Sequence, residues 1–223
     1  MFSLKNKNAF VTGGSSGIGA AITRLFARQE ARVAILDVDE NHGRILADEL
    51  QKEGLKVDFV YCDVTDQLQM VDHFQRFAEL GSIDILVNNA GIAHVGKLED
   101  TPEHVFDRIF QVNVKGVYNG MYAALPFMKQ QKHGVILNMA SIVSRVAIPD
   151  RFAYTMSKGA VFSMTNAVAM DYLDFNIRCN CIMPGRIHTP FVDGFVTKNY
   201  PGRETEMMAK LAKAQPIGRM GEP

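Results

Sequence analysis

The stretch Thr12-Gly13-Gly14-Ser15-Ser16-Gly17-Ile18-Gly19 constrains this chain more than any other. It follows the apolar run Ala9-Phe10-Val11. It opens a segment, Ile18 to Gln29, whose apolar residues Ile18, Ala21, Ile22, Leu25 and Phe26 recur at helical spacing. The order is therefore strand, glycine turn, helix. Glycines permit a tight turn and let a ligand approach the backbone. The helix behind them offers free N–H groups and the positive end of its dipole, which suits a pyrophosphate. A glycine-rich turn without a ligand satisfies the same pattern, so the rest of the chain has to decide.

Strand and helix patterns alternate from there on. Arg32 to Leu36 reads as a strand ending at Asp37, Asn41 to Glu53 as a helix stopped at Gly54, and Val57 to Tyr61 as a third strand. Asp66 to Leu80 is helical, and Ile83 to Val87 is a fourth strand. A helix capped by Thr101, with Pro102 in its first turn, runs with a bend to about Gln131. Val135 to Met139 is a fifth strand, Phe152 to Phe175 a long helix, Ile177 to Met183 a sixth strand and Arg203 to Ala214 a last helix. Strands apolar on both faces, separated by helices, imply an α/β fold: a doubly wound parallel sheet, Rossmann-like, with helices on both faces. Ligands bind such sheets beyond the carboxyl ends of the strands. The polar and glycine-rich residues cluster at those ends.

A length of 223 residues suits one domain spanning 1–223, and no internal boundary is visible. With 24 basic and 24 acidic residues there is no basic field to recruit nucleic acid or an anionic membrane. No apolar run reaches bilayer length, and Met1 to Lys5 carries no secretory signal. Three cysteines make no disulfide framework; Cys179 and Cys181 share a strand face and read as buried thiols rather than metal ligands. These features favour a cytoplasmic protein without a metal.

Asp37 lies 18 residues after Gly19, at the end of the second strand. A carboxylate there accepts both ribose hydroxyls of an adenosine. It would repel the extra phosphate of NADP: at about 4 Å and an effective dielectric of about 20, each unit-charge pair costs near 4 kcal/mol before solvent screening. The glycine turn carries no Arg or Lys to offset that, so NAD is the expected cofactor. Asp63-Val64 would flank the adenine, and Asn89-Ala90-Gly91 would let the backbone pass near the ribose.

Tyr154 and Lys158 stand at i and i+4 on one helix. A tyrosine, with a free pKa near 10, becomes a useful base only if a cation favours its phenolate. Ser141, 13 residues earlier at the end of the fifth strand, can hydrogen-bond a substrate oxygen. Alone, a Tyr-x-x-x-Lys pair is a weak signal.

Together these residues resemble the short-chain dehydrogenase/reductase family in its compact form. The resemblance rests on Thr12 to Gly19, Asn88-Asn89-Ala90-Gly91, Asn113 within Asn113-Val114-Lys115-Gly116, Ser141, Tyr154 with Lys158, and Pro184-Gly185, all in the family's order over nearly the whole chain. It implies that Tyr154 is the general acid/base, that Ser141 orients the substrate, and that Lys158 binds the nicotinamide ribose and tunes Tyr154. Asn113 would hold a water linking Lys158 to solvent. Gly13, Ser15, Ser16, Gly17, Ile18 and Gly19 would bind the dinucleotide with Asp37, Asp63, Val64, Asn89, Ala90 and Gly91. Pro184, Gly185, Ile187 and Thr189 would flank the nicotinamide end. Family members usually add a further helix and a seventh strand beyond the position of Glu222-Pro223.

The implied reaction joins a secondary alcohol and its ketone. Arg145 and Arg186 lie beyond the fifth and sixth strands, where two guanidinium groups can clamp a carboxylate; His94 and His188 could bind hydroxyls. That favours a hydroxy acid or deoxy-sugar acid. A carbonyl reductase on an uncharged substrate, and a non-catalytic dinucleotide-binding regulator, are the alternatives. Met121 to Leu125 and Ala160 to Met164 are apolar around most of the helix circumference, so a homo-oligomer, dimer or tetramer, is expected.

Overall fold

Successive residues of each strand bury themselves on opposite faces of one sheet, as the two-residue period requires. Phe10, Leu36 and Ile136 pack on one face with Met70, Phe74, Met121 and Val161. Val11, Val33, Ile35 and Val87 pack on the other with Ala27, Leu46 and Leu50. Strands with two buried faces need helices on both sides, and the computed structural model, which describes residues 3–223, supplies them.

The strands are β1 (Asn8–Thr12), β2 (Arg32–Asp37), β3 (Val57–Tyr61), β4 (Ile85–Asn88), β5 (Gly134–Met139) and β6 (Ile177–Ile182). All pair in parallel, in the order β3-β2-β1-β4-β5-β6. The helices are α1 (Gly17–Arg28), α2 (Glu40–Lys52), α3 (Gln67–Leu80), α4 (Glu103–Phe110), α5 (Gly116–Gln131), α6 (Phe152–Asp171), α7 (Pro190–Asn199) and α8 (Glu204–Lys213). The strand order reverses between β1 and β4, and the crevice at such a switch point is where a doubly wound sheet takes ligands.

Several boundaries differ from the sequence reading. The fourth strand starts at Ile85, because the Ile83 N–H and carbonyl are taken by the side chain of Gln131. Thr101 does not cap α4: its hydroxyl turns back to the Lys97 carbonyl at 2.6 Å, and Pro102 holds the cap position. The bend expected before Gln131 is a π-helical turn, Gln111–Lys115, joining α4 to α5. Such turns often mark functional positions, and this one contains the fully buried Asn113. The long helix stops at Asp171, and a 3-10 turn, Leu173–Phe175, ends at Asn176 in the left-handed region. The segment Pro190–Asn199 is a further helix, α7. With α8 it builds a small apolar cluster of its own from Val192, Val196, Met207 and Leu211.

Candidate active site

The glycine turn is shaped by what it packs against. Gly13 and Gly17 have φ values of 62° and 51°, in the left-handed region. A Cβ on Gly13 would stand 2.8 Å from Ala90 Cα, and one on Gly19 would collide with the Gly13 carbonyl. The end of β4 is bonded to the turn. The Asn89 side-chain amide donates to the carbonyls of Thr12 (3.1 Å) and Gly13 (2.9 Å). The Thr12 hydroxyl accepts the N–H groups of Asn89 (3.0 Å) and Ala90 (3.1 Å). Asp37 holds the other flank, accepting the Ser15 N–H at 3.0 Å and the Asp39 N–H at 3.1 Å.

One cleft of about 530 Å³ runs from this turn across the carboxyl ends of the strands. Gly13, Ser16, Gly17, Ile18, Asp37, Asp63, Val64, Asn89, Ala90 and Gly91 line one end. Ser141, Tyr154, Lys158, Pro184, Gly185, Ile187 and Thr189 line the other. The cleft fits a dinucleotide on local grounds. The first turn of α1 carries no acidic residue, and Ser16 makes no side-chain cap, so the helix directs uncapped N–H groups and a positive end into the space. A side chain on Gly17 would come within 3.2 Å of Thr189, narrowing the cleft where a pyrophosphate must pass.

Three expected cofactor or catalytic residues stand behind the wall. Ser15 is buried, and its Oγ lies where a Cβ on Gly43 would press, on the α2 side. Gly19 packs beneath the turn. Asn113 accepts the Ile92 N–H at 2.8 Å and donates to the Ile92 carbonyl (2.9 Å) and to Ser157 (3.0 Å). It thus ties the backbone beyond Gly91 to α6. Gly91 lies between the two groups: a Cβ there would stand 3.4 Å from the Asn113 Oδ1 and 3.5 Å from the Lys158 Nζ, an ordinary contact distance.

The chemical end is set by β5 and α6. Ser141 follows β5 and begins a short 3-10 turn, Ile142–Ser144. The Ser144 hydroxyl donates to the Lys158 carbonyl at 2.8 Å, fixing α6 against that turn. Lys158 is buried, and its ammonium donates to the Met139 carbonyl at 2.7 Å. Its Nζ lies 5.8 Å from the centre of the Tyr154 ring. Burial pulls Lys158 down to about 8. Burial likewise pushes Tyr154 above its ordinary value, while the Ser141 hydroxyl and then the Arg151 charge act to lower it. The sequence reading assigned that lowering to Lys158. Burial outweighs the groups that favour the phenolate.

The expected substrate residues separate. Arg186 lines the cleft, half-buried. Arg145 does not: its guanidinium stacks on Phe162, 4.4 Å from the ring centre, so Arg145 and Arg186 are not assembled into a clamp. His188 turns away to Asp193 at 3.0 Å. His94 lies behind Ala93, its Nε2 buried next to Gly96 rather than on the cleft lining. The sequence reading missed Arg151, Phe191, Val192, Phe195 and Gln215, all of which line the cleft. Arg151 lies one turn before Tyr154. Thr189-Pro190, followed by Val192, Phe195 and Val196 at helical spacing, was a usable signal for the wall made by α7.

Comparison with known proteins identifies the family. The family model described as short chain dehydrogenase matches residues 7–199. Oxidoreductase UcpA of Salmonella typhimurium is 37% identical over 225 residues, covering 100% of this chain and 85% of that protein. The 2-(R)-hydroxypropyl-CoM dehydrogenase of Xanthobacter autotrophicus is 43% identical over 194 residues, covering 82% of this chain and 75% of that protein. A gluconate 5-dehydrogenase from Burkholderia cenocepacia, solved with NADP and tartrate, superposes with a TM-score of 0.88 at 31% identity, covering 99% of this chain and 84% of that one. The chain belongs to the short-chain dehydrogenase/reductase family of nicotinamide-dinucleotide oxidoreductases.

Proposed function

We propose that the protein is an NAD-preferring dehydrogenase interconverting a secondary alcohol and its ketone, with a hydroxy acid or sugar acid as the favoured substrate class. The observation that carries this reading is the single cleft shared by the glycine turn, Asp37, Ser141, Tyr154 and Lys158. Bound NAD would supply the hydride acceptor. Ser141 holds the substrate oxygen, and Tyr154 exchanges its proton. Lys158 binds the nicotinamide ribose, and Asn113 ties the strand end beyond Gly91 to α6 and would hold a water linking Lys158 to solvent. A non-catalytic regulator would have no need to keep Ser141, Tyr154 and Lys158 together on one lining. The gluconate enzyme named above gives support for an acid substrate by analogy.

The reading extends to assembly and location. Tyr118 and Tyr122, 44% and 51% exposed on α5 with ring centres 5.7 Å apart, and Met170, 69% exposed on α6, give the helices an outward apolar face suited to a second copy. Cys62, Cys179 and Cys181 are free thiols, in keeping with a cytoplasmic setting. Among the described residues no helix is long and apolar enough to cross a membrane.

NAD preference follows from Asp37. The ratio of kcat/KM for NAD over NADP should be at least about tenfold, which needs only about 1.4 kcal/mol. Asp37→Asn, which removes the charge but keeps an acceptor for Ser15, should narrow it. Equal efficiency with both cofactors in the wild type contradicts the assignment.

Tyr154→Phe removes the exchangeable proton and little volume. Turnover should fall at least about 100-fold with NADH affinity preserved, measured by steady-state kinetics and calorimetry. Activity within a few-fold of wild type would exclude Tyr154 as the acid/base.

Lys158 gives a pH test. Its folded pKa, about 8, lies below the unfolded value near 10.4, so between these values the unfolded chain binds more protons and stability rises with pH. Relative to Lys158→Met, the wild type should gain about 2 kcal/mol between pH 7.5 and 9.5 by urea unfolding. A difference that is flat or falls with pH would mean Lys158 is not held in a charge-disfavouring site.

A further inference from the structure

Two arginines line the end of the cleft away from the glycine turn. Arg151 precedes α6, three residues before Tyr154, and is pinned by its bridge to Gly96 and by the Phe152 N–H donating to the Gly96 carbonyl at 3.2 Å. Its guanidinium lies 4.8 Å from the centre of the Phe195 ring and donates through Nη1 to the Asp150 carbonyl at 2.7 Å. Arg186 follows Pro184-Gly185. Its N–H donates to Gln215 at 3.4 Å, and its carbonyl accepts the Gly221 N–H at 2.9 Å. Both side chains line the cleft with Tyr154.

What these arginines lack is an acid. Half of the arginines, Arg24 with Glu49, Arg32 with Asp58 and Arg203 with Glu206 among them, pair with carboxylates. Among the described residues neither Arg151 nor Arg186 has such a partner. Asp150 offers its backbone carbonyl to Arg151, and Asp193 is held by His188. The Arg186 Nε is buried without an acceptor, and a buried unpaired donor is unfavourable. Burial, and after it the Arg151 charge, act against the Arg186 cation. Two half-buried cations beside the apolar Phe191, Val192 and Phe195, with a donor left over, are complementary to an oxyanion arriving from outside.

We infer that Arg151 and Arg186 form the subsite for an oxyanion on the substrate, a carboxylate in the simplest case, held beside Tyr154. The pair replaces the Arg145–Arg186 clamp expected from sequence. It deepens the dehydrogenase reading and rests on it for the placement of the reacting carbon at Tyr154. The anion fixes the substrate from one end while Ser141 holds the oxygen that reacts.

The test separates the anion site from the chemistry. Malonate and its uncharged analogue malonamide are titrated calorimetrically into the protein with and without saturating NADH. Malonate should bind at least tenfold more tightly than malonamide. Arg151→Gln and Arg186→Gln should each weaken malonate at least tenfold, with NADH affinity within threefold of wild type. No malonate binding to the wild type, malonamide binding equally well, or malonate affinity unchanged in both variants would overturn the inference. So would an Arg186→Gln variant that loses NADH affinity and keeps malonate, since it would assign Arg186 to a cofactor phosphate. If either variant fails to fold, the wild-type comparison of malonate with malonamide still decides. Turnover is read separately, with 3-hydroxybutanoate and 3-hydroxybutanamide: wild type should prefer the acid by at least tenfold in kcat/KM, through KM. If a panel of alcohols shows no NAD- or NADP-linked turnover, the dehydrogenase reading fails while the calorimetry still judges the subsite.

Discussion

The seam between the glycine turn and the end of β4 is the constraint on which the rest of the cleft depends. Asn89 satisfies two carbonyls of the turn, and Thr12 satisfies two N–H groups of β4's exit. Neighbouring parallel strands would otherwise diverge here with buried polar groups unpaired. The seam works only because Gly13 and Gly19 have no side chain; a Cβ on either would strike backbone rather than a movable side chain. Once closed, it fixes the start of α1 and the path of Ala90-Gly91, and Asn113 ties the backbone beyond them to Ser157 of α6.

The second determinant is the low polarity around Tyr154 and Lys158. Both groups are pushed toward their neutral forms by burial. A tyrosine kept protonated and a lysine poised near 8 can be shifted by a modest change of local charge. The positive charge of an oxidised nicotinamide would favour the phenolate, so occupancy of the cleft would be coupled to readiness for chemistry in the proposed reaction. Arg151 adds to this, since its charge lowers Tyr154 from the side where the inferred oxyanion would bind.

Much of this was legible in the sequence. The parallel sheet and its helices followed from strands apolar on both faces alternating with helical periods. The lining residues Gly13, Gly17, Asp37, Ala90 and Ser141 stand at the ends of those strands or in the first turns after them, where position along the chain fixes position in space, while Tyr154 and Lys158 were legible from their four-residue spacing on one helix. What was not legible depends on where a side chain turns. Arg145 and Arg186 are both a few residues beyond a strand, yet a ring at Phe162 draws one out of the cleft. Thr101 looked like a cap, but a nearer carbonyl at Lys97 takes its hydroxyl. Ser15 and Asn113 act behind the lining, which spacing alone does not reveal. The helix α7 carried a readable helical spacing in Val192, Phe195 and Val196, but that its apolar residues pack on α8 in a cluster separate from the main core is visible only in the structure.

The most direct measurement is NADH affinity by calorimetry in wild type and Asn89→Ala, with the fold of each checked by thermal unfolding. If the seam builds the cofactor end of the cleft, the variant should still fold and bind NADH at least about tenfold more weakly, a loss of about 1.4 kcal/mol. A folded variant with wild-type NADH affinity would contradict the account, because the turn would then hold its shape without the contacts assigned to it.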